Sequence, residues 1–328
     1  MSNNTNKGNR GNNSSNTNKT VSTIITVILL IVFALFGGDN VLKQFTAHSQ
    51  EVQGEKITIK NNDGTDSDGD IAVQLGDSCI SQIDVNEDVL RVYYFDVGQA
   101  DSILVVNNGE SMLIDAGNNG DGNLVVNNLK TIGINRLTYV VGTHPHEDHI
   151  GGLDNVINNL DIGTIFMPRT STNTKTYEDV IDAIANKKKK ITVPKVGDTF
   201  KVGNANCEIM SIEDNEKNLN ECSIVIRMEY NGISYLFTGD AEKENEAARS
   251  WPQTDILKAG HHGSSTSSSQ SFLDQVQPSV IIISCEKGND YGHPHKETME
   301  RFEKLGATIY RTDEDGNVLI TQTKQDNK

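Results

Sequence analysis

Hydrophobic positions fall into one isolated apolar run near the N-terminus and a long region of short, regularly spaced segments. Residues 21–36 are almost wholly apolar, and two glycines follow them. Taken as residues 20–38, the run would form a helix of roughly 28 Å at about 1.5 Å per residue, enough to cross a bilayer core. Because the segment before it carries Lys and Arg but no acidic residue, the pattern predicts a cytoplasmic N-terminus and an extracellular remainder.

The N-terminal segments therefore predict a chain attached to a membrane by a single helix. Residues 1–20, rich in Asn, Ser and Thr, predict a disordered cytoplasmic tail, and residues 21–38 a transmembrane anchor. A cleaved signal peptide, and so a secreted protein, is the alternative, although no A-x-A site follows the run. Residues 39–85 are polar and acidic and predict a flexible linker, which leaves residues 86–328 as the folded domain.

Short strands and amphipathic helices alternate through this domain. Runs of β-branched and aromatic residues predict strands at 89–95, 102–106, 112–114, 139–142, 256–258, 280–284, 308–310 and 318–320. Asn231-Gly232 predicts a tight hairpin between strands at 223–230 and 233–238. Apolar residues at helical spacing predict helices at 125–132, 177–187, 269–275 and 296–305. The mixture, without an internal linker, predicts a single α/β domain.

Charge and composition narrow the functional classes. The 328 residues carry 29 Lys and Arg against 45 Asp and Glu, a formal charge of -16 that opposes non-specific binding to nucleic acid. The hydrophobic fraction of 35% excludes a polytopic membrane protein. Four cysteines without a CxxC spacing argue against a zinc ribbon.

Histidines mark the candidate chemistry. Seven of the eight fall in three short clusters at turn positions. The first cluster follows the predicted strand 139–142 and holds four ligand types in six residues, His144, His146, Asp148 and His149. A strand or helix could not turn all four in one direction, but a loop can fold them around two metal ions, and imidazole and carboxylate suit zinc or a similar divalent ion.

The His-x-His-x-Asp-His spacing resembles the signature of the metallo-β-lactamase-fold hydrolases. Further matches are Phe95 to Ser102, Leu113 to Gly117 and Phe237-Thr238-Gly239-Asp240. Leu257 to Ser264, Tyr291-Gly292-His293-Pro294 and Tyr310 to Asp313 make the pattern similar to the hydrolase domain of ComEC-type competence proteins. The resemblance covers about residues 86–322.

The resemblance implies a four-layered αββα sandwich with two divalent metal ions, Zn²⁺ or Mn²⁺, at one edge. It implies that His144 and His146 bind one metal, Asp148 and His149 the other, and that Asp240 bridges them. Many relatives have a further His ligand before the bridging Asp, whereas residues 150–239 contain none, which leaves the first metal short of a ligand.

The remaining histidines offer several ways to complete the site. In extended backbone only one of the adjacent His261 and His262 would point at the metals, so we expect His261 as a ligand and His262 as a polariser or acid near the substrate. His293 is either a second-metal ligand or the donor of a proton to the leaving group. Asn220, Ser223 and Ser264 are candidate substrate contacts.

Three classes of function follow. The first is an extracytoplasmic, metal-dependent phosphodiesterase acting on a phosphodiester such as DNA, in keeping with competence and DNA uptake. The second is a hydrolase of small or cell-wall-linked phosphoesters, similar to phosphocholine esterases; hydrolysis of β-lactams ranks below both. The third, a non-enzymatic surface module, requires a lost metal site, which the intact ligand cluster opposes. The sequence points to the membrane as a partner and to no protein partner.

Overall fold

Two β-sheets form the middle of the fold in this computed structural model, which describes residues 54–57 and 71–323. The first sheet has nine strands, in the order β1-β2-β16-β3-β4-β5-β6-β7-β8. Their bounds are Glu55–Ile57, Ile71–Leu75, Val318–Thr323, Val89–Tyr94, Ile103–Asn107, Glu110–Ile114, Arg136–Val141, Asp161–Phe166 and Ile191–Thr192. The second sheet has seven, β15-β14-β13-β12-β11-β10-β9. Their bounds are Thr308–Arg311, Val280–Ile283, Ile256–Lys258, Ile233–Phe237, Val225–Tyr230, Ala205–Ser211 and Thr199–Val202.

Helices connect the strands, and side chains cap the N-termini of some of them. Within the described residues, α1 to α8 are Gly122–Ile132, Glu147–Ile150, Leu153–Asn159, Lys175–Asn186, Lys243–Ala247, Gln270–Val276, Lys296–Leu305 and Thr312–Asp315. Thr174 caps α4, since its hydroxyl accepts the Tyr177 N–H at 3.3 Å, and Ser269 caps α6 in the same way. Helix α1 ends at Gly133, whose φ of 108° suits a residue without Cβ.

Three apolar cores separate four layers. The central core joins Val92 and Val105 of the first sheet to Ile226 and Ile282 of the second, so the sheets pack face to face. Outside the first sheet, side chains of α1, α3 and α4 form another core with its strands. Outside the second sheet, α6 and α7 contribute to a third. This is the helix–sheet–sheet–helix order that the resemblance implies.

The sequence predicted most of these elements within a few residues. Every strand and helix predicted after residue 86 has a counterpart in the structure. The predicted hairpin turn, Asn231-Gly232, joins β11 to β12 with φ of 46° and 77°. Positive φ at both positions is what a tight hairpin turn requires, so this prediction is confirmed.

The predicted linker is wrong in its C-terminal part. Residues 71–75 form β2, which pairs with β16, and β1 at residues 55–57 pairs with β2. Ile71 and Val73 are buried while Ala72 and Gln74 are half-buried, the alternation of a strand that covers a core. The predicted tail and membrane anchor lie outside the described residues. None of the helices in the described part has the length and apolar character needed to cross a bilayer.

Gly151, which follows α2, allows the loop with the His-x-His-x-Asp-His spacing to approach its neighbours closely. A Cβ on Gly151 would lie 2.3 Å from Asn118 C and from Asn119 N, both backbone atoms. We expect Gly151→Ala to lower the free energy of unfolding by about 3 kcal/mol, the upper part of the usual range for overpacking. Urea unfolding measures this change. Gly120→Ala is the matched control, because a Cβ there meets nothing within 4 Å, and equal midpoints for the two variants would contradict the prediction.

Candidate metal centre

The predicted ligands meet where strands of both sheets end. Strand β6 leads into the loop with His144, β12 into the turn with Asp240, and β13 into the turn with His261 and His262. Strands β12 and β13 are parallel neighbours, so their carboxyl ends lie at one edge of the sheet. His144 and Asp240 are buried, which takes the centre of the cluster out of water.

One oxygen of Asp240 faces the imidazoles of His144 and His261, and His146 lies beside His144. We name these three histidines, with that oxygen, the first half-site. Asp240 Oδ2 lies 3.8 Å from His144 Nε2 and 3.7 Å from His261 Nε2. His146 Nδ1 lies 3.0 Å from His144 Nε2. His261 therefore occupies the place that the sequence leaves short of a ligand.

The other oxygen of Asp240 faces the second half-site, which contains Asp148, His149 and His262. One ligand atom from each of these three and from Asp240 lies within 4.8 Å of the others. Asp240 Oδ1 is 3.2 Å from His149 Nε2 and 3.7 Å from His262 Nε2, and His262 Nε2 is 3.4 Å from Asp148 Oδ2. Asp240 thus has the bridging position that the resemblance implies.

Unpartnered polar atoms show that the second half-site suits a cation. His149 Nε2, Asp240 Oδ1 and His262 Nε2 are buried and have no hydrogen-bond partner in the part of the chain that the structure describes. Buried polar atoms are rarely left in this state, and these three converge on one point. Imidazole and carboxylate are ligands of zinc and related divalent ions. The residues present therefore fit a dinuclear metal site, with one ion in each half-site.

His261 and His262 both reach Asp240, although they are adjacent. Their φ angles are 49° and 53°, in the left-handed region that residues other than glycine seldom adopt. In extended backbone their side chains would point to opposite sides, and the prediction that only one faces the metals is wrong for this reason. His262, predicted to polarise the substrate, lies among the ligand atoms of the second half-site.

Carboxylates hold two of the imidazoles in place. Asp115 Oδ2 lies 2.8 Å from His149 Nδ1, and Glu242 Oε1 lies 3.2 Å from His261 Nδ1. With Nδ1 bound to a carboxylate, Nε2 of each ring is left free to bind a metal. Glu242 is ionised at neutral pH: burial opposes this, but hydrogen bonds from His261 and Asn218 lower its pKa to about 2.

Charges within the centre also keep the carboxylates of Asp148 and Asp240 ionised. Burial alone would raise the pKa of Asp148 and Asp240, but the neighbouring His149 and His262 lower the pKa of both below the usual carboxyl value. Burial likewise opposes a charge on His149, yet Asp240 and Asp115 raise its pKa well above that of free histidine. A cation entering the second half-site must therefore displace a proton from His149, since a ligand imidazole is neutral.

A cavity of about 280 Å³ gives access to the centre. Its walls include Asp148, Asn220, His261 and His293. The Nδ1 atom of His293 lies 3.3 Å from Gln99 Nε2, outside both half-sites. Burial, followed by the nearby His261, lowers the pKa of His293 to about 4, so the ring is neutral at pH 7 and can donate a hydrogen bond from Nε2. The position of His293 beside Gln99 differs from the predicted ligand role, and its lowered pKa suits a hydrogen-bond donor rather than an acid.

Only one of the three predicted substrate contacts lines the cavity, Asn220. Ser223 is buried; its Oγ accepts the Asp240 N–H at 3.0 Å and lies 3.3 Å from His144 Nδ1, so it supports two ligands. Ser264 is also buried, and its Oγ lies 3.0 Å from Thr266 Oγ1 within the turn that follows the histidine pair.

An acidic groove of about 650 Å³ continues from the cavity. The two share Gln99, Glu147, Asp148 and Tyr291. The groove is lined by five carboxylates, those of Asp96, Asp121, Glu147, Asp148 and Glu286. Tyr291 is 69% exposed, an unusual position for a large aromatic ring. The groove therefore attracts positive charge and offers a flat aromatic surface.

Sequence reasoning assigned no role to four residues that contact the ligands or their supports. Asp101, Asp115 and Lys258 stand inside quoted motifs, and Glu242 follows the bridging Asp240 by two positions. Asp101, Asp115 and Lys258 could have been found because each is a charged residue next to the apolar residues of a strand, where a charged side chain is uncommon. For Glu242 no pattern indicates a role, apart from its position two residues after Asp240.

Comparison with known proteins gives consistent results. The sequence model of the Metallo-beta-lactamase superfamily matches residues 95–285. ComE operon protein 3 of Bacillus subtilis is 31% identical over 195 residues, 58% of this chain and 25% of that protein. Competence protein ComA of Neisseria gonorrhoeae is 29% identical over 238 residues, 71% of this chain and 32% of that protein. The predicted resemblance to ComEC-type competence proteins is confirmed.

These similarities have defined limits. The chain spans about a quarter to a third of the length of these two curated relatives. Among solved structures, the metallo-beta-lactamase fold protein YhfI from Bacillus subtilis matches with a TM-score of 0.48 at 13% identity, over 71% of this chain and 99% of YhfI.

Proposed function

Since the chain belongs to the metallo-beta-lactamase superfamily, whose sequence model matches residues 95–285, we propose that this hydrolase is a metal-dependent phosphodiesterase that cleaves DNA. The observation that carries the proposal is the division of ligand atoms between the two oxygens of Asp240. Two divalent ions, when bound, lower the pKa of a shared water and stabilise charge on phosphoryl oxygens. The similarity to competence proteins supports DNA as the phosphodiester.

The chain's own residues would supply orientation and hydrogen bonds. Asp148 is the most accessible ligand of the second half-site, with a side chain 30% exposed, and can accept a hydrogen bond from the attacking water. Asn220 offers an amide to a phosphoryl oxygen from the cavity wall. His293, neutral and held by Gln99, can donate a hydrogen bond from Nε2 to the leaving oxygen.

We place this activity outside the cytoplasm. The proposal rests on the apolar residues 21–38 and the basic residues before them, which would anchor the chain with residues 39–328 on the outer side. Protease added to intact cells should then digest the hydrolase domain of an anchored chain, and the culture medium should contain the domain if residues 1–38 are a signal peptide.

The activity can be tested on the full-length chain purified in detergent and loaded with Zn²⁺ or Mn²⁺. We expect cleavage of end-labelled single- or double-stranded DNA. His146→Ala should lower the cleavage rate by at least about 100-fold, because loss of a residue that only hydrogen-bonds to a metal ligand already lowers activity by up to about 100-fold. His295→Asn is the matched control, because His295 lies outside the cavity lining. Wild-type chain that holds two ions and leaves both DNA substrates intact would contradict the proposal.

The acidic groove favours a second candidate, a small or wall-linked phosphoester with a cationic substituent such as choline. Carboxylates repel a polyanionic strand, whereas a quaternary ammonium group suits both their charge and the exposed face of Tyr291. The double variant Glu147→Gln, Glu286→Gln separates the two. It should raise the KM for a choline phosphodiester if that is the substrate, and lower the KM for DNA if DNA is.

A further inference from the structure

One buried lysine lies directly behind the second half-site. Lys258, the last residue of β13, is the only Lys or Arg that is buried among residues 54–57 and 71–323. Its Nζ lies 2.9 Å from Asp101 Oδ2 and donates to Ala259 O at 2.9 Å. Asp101 is 1% exposed, so the two charges are paired out of water. An ion pair in this position gives no assured net stability, since desolvation of both charges opposes it.

The pair touches two ligands of the second half-site through Asp101. Asp101 Oδ1 has no hydrogen-bond partner among the described residues and lies 3.5 Å from His262 Nδ1. His262 Nδ1 also donates to Ser284 O at 3.0 Å. The Asp101 N–H donates to the carbonyl oxygen of Asp148 at 3.0 Å. The side chain of Asp101 therefore lies beside one ligand, and its backbone forms a hydrogen bond with another.

We propose that Asp101 and Lys258 are positioning residues for the metal ion of the second half-site. Lys258 fixes the Asp101 carboxylate beside His262, whose Nδ1 proton goes to Ser284 O. The negative charge of Asp101 3.5 Å from Nδ1 favours this tautomer, which leaves Nε2 free to bind a metal. The first half-site has a separate support, Glu242 on His261, so the two metals depend on different outer residues. This inference rests on the dinuclear centre of the proposed function.

Metal titrations of full-length chain test the assignment in two backgrounds. His146→Ala removes a ligand from the first half-site, and Asp148→Ala removes one from the second. In the His146→Ala background, Lys258→Met should weaken Zn²⁺ binding by about 10- to 100-fold, which is the usual effect of removing a residue that supports a metal ligand. Added to Asp148→Ala, it should leave the remaining Zn²⁺ affinity unchanged. Competition with a chromophoric chelator and elemental analysis of bound zinc measure both results.

Glu242→Gln is the matched control, and we expect it to show the reverse dependence on background. Equal weakening by Lys258→Met in both backgrounds would reduce the pair to a general structural role and overturn the proposal. Unchanged Zn²⁺ affinity in the His146→Ala background would also overturn it. Because the measurement is metal binding, wild-type chain that binds two ions but cleaves no phosphodiester would contradict only the proposed function.

A second variant guards against misfolding. Lys258→Met leaves the Asp101 carboxylate buried without its partner, which by itself can unfold a protein. Asp101→Asn combined with Lys258→Met removes both charges and changes little volume. We expect this double variant to fold, as judged by circular dichroism, and to show the same selective loss of Zn²⁺ affinity. If the double variant failed to fold, the pair would be required for folding itself, and the proposal would be overturned.

Discussion

Asp240→Ala should release both metal ions and lower the rate of hydrolysis by more than about 100-fold. This loss exceeds the effect of removing a residue that only hydrogen-bonds to a metal ligand. Asp240 is the one residue shared by the half-sites, since Oδ2 faces His144 and His261 while Oδ1 faces His149 and His262. Removing any of the imidazoles leaves the other half-site complete, whereas removing Asp240 takes an oxygen from each. Elemental analysis of zinc per chain, with kcat/KM on the same sample, measures the result.

The control for this experiment is Asp182→Ala, which removes an exposed carboxylate from α4. We expect this control to retain both ions and full activity. An Asp240→Ala chain that still bound two ions would show that the half-sites are independent of the bridging carboxylate, contrary to the geometry.

Removing the metals should lower the melting temperature by roughly 8–16 °C. Binding to the native state alone stabilises it by about 4 kcal/mol when free metal is 1,000 times Kd. For a domain of this size each kcal/mol shifts Tm by roughly 2–4 °C. The physical source is the set of buried carboxylates, Asp101, Asp115 and Asp240, whose charges are offset mainly by Lys258 and the imidazoles when no metal is bound. Calorimetry with and without chelator measures the shift.

This stabilisation should decrease as the pH falls. His149 has a raised pKa in the metal-free centre and must lose its proton to bind a metal, so acid favours the metal-free form. We expect the difference in Tm between metal-loaded and metal-free chain to be full at alkaline pH and to shrink on acidification. An Asp240→Ala chain should show no metal-dependent difference, and the same Tm for wild type with and without metal would contradict the prediction.

The first ligand cluster could be predicted because it is local. His144, His146, Asp148 and His149 lie within six residues, and one loop at the end of β6 brings them together. Ten strands and four helices after residue 86 were predictable for a similar reason, since each one carries its own apolar period. Strands β7 to β10 and the short helices α2, α3, α5 and α8 were not predicted. Element type and the position of the first cluster therefore follow from short stretches of sequence.

The remainder of the site depends on contacts that no short stretch contains. The roles of His261 and His262 depend on two consecutive left-handed residues, a conformation that their residue types do not signal. The pairing of Lys258 with Asp101 joins the end of β13 to the loop before β4, in the other sheet. Strand β2 was missed because it directly follows an acidic stretch typical of a linker, and because its partner, β16, is at the far end of the described chain.

The position of β16 also determines the order in which the domain can assemble during synthesis. β16 lies between β2 and β3 and forms hydrogen bonds with both. Until the ribosome has made β16, the β1–β2 ribbon has no place in the sheet, and β3 presents an unpaired edge of the kind that promotes aggregation. Pairing between segments so distant in sequence is slow. A nascent chain should therefore need a chaperone or a short residence time in this half-finished state.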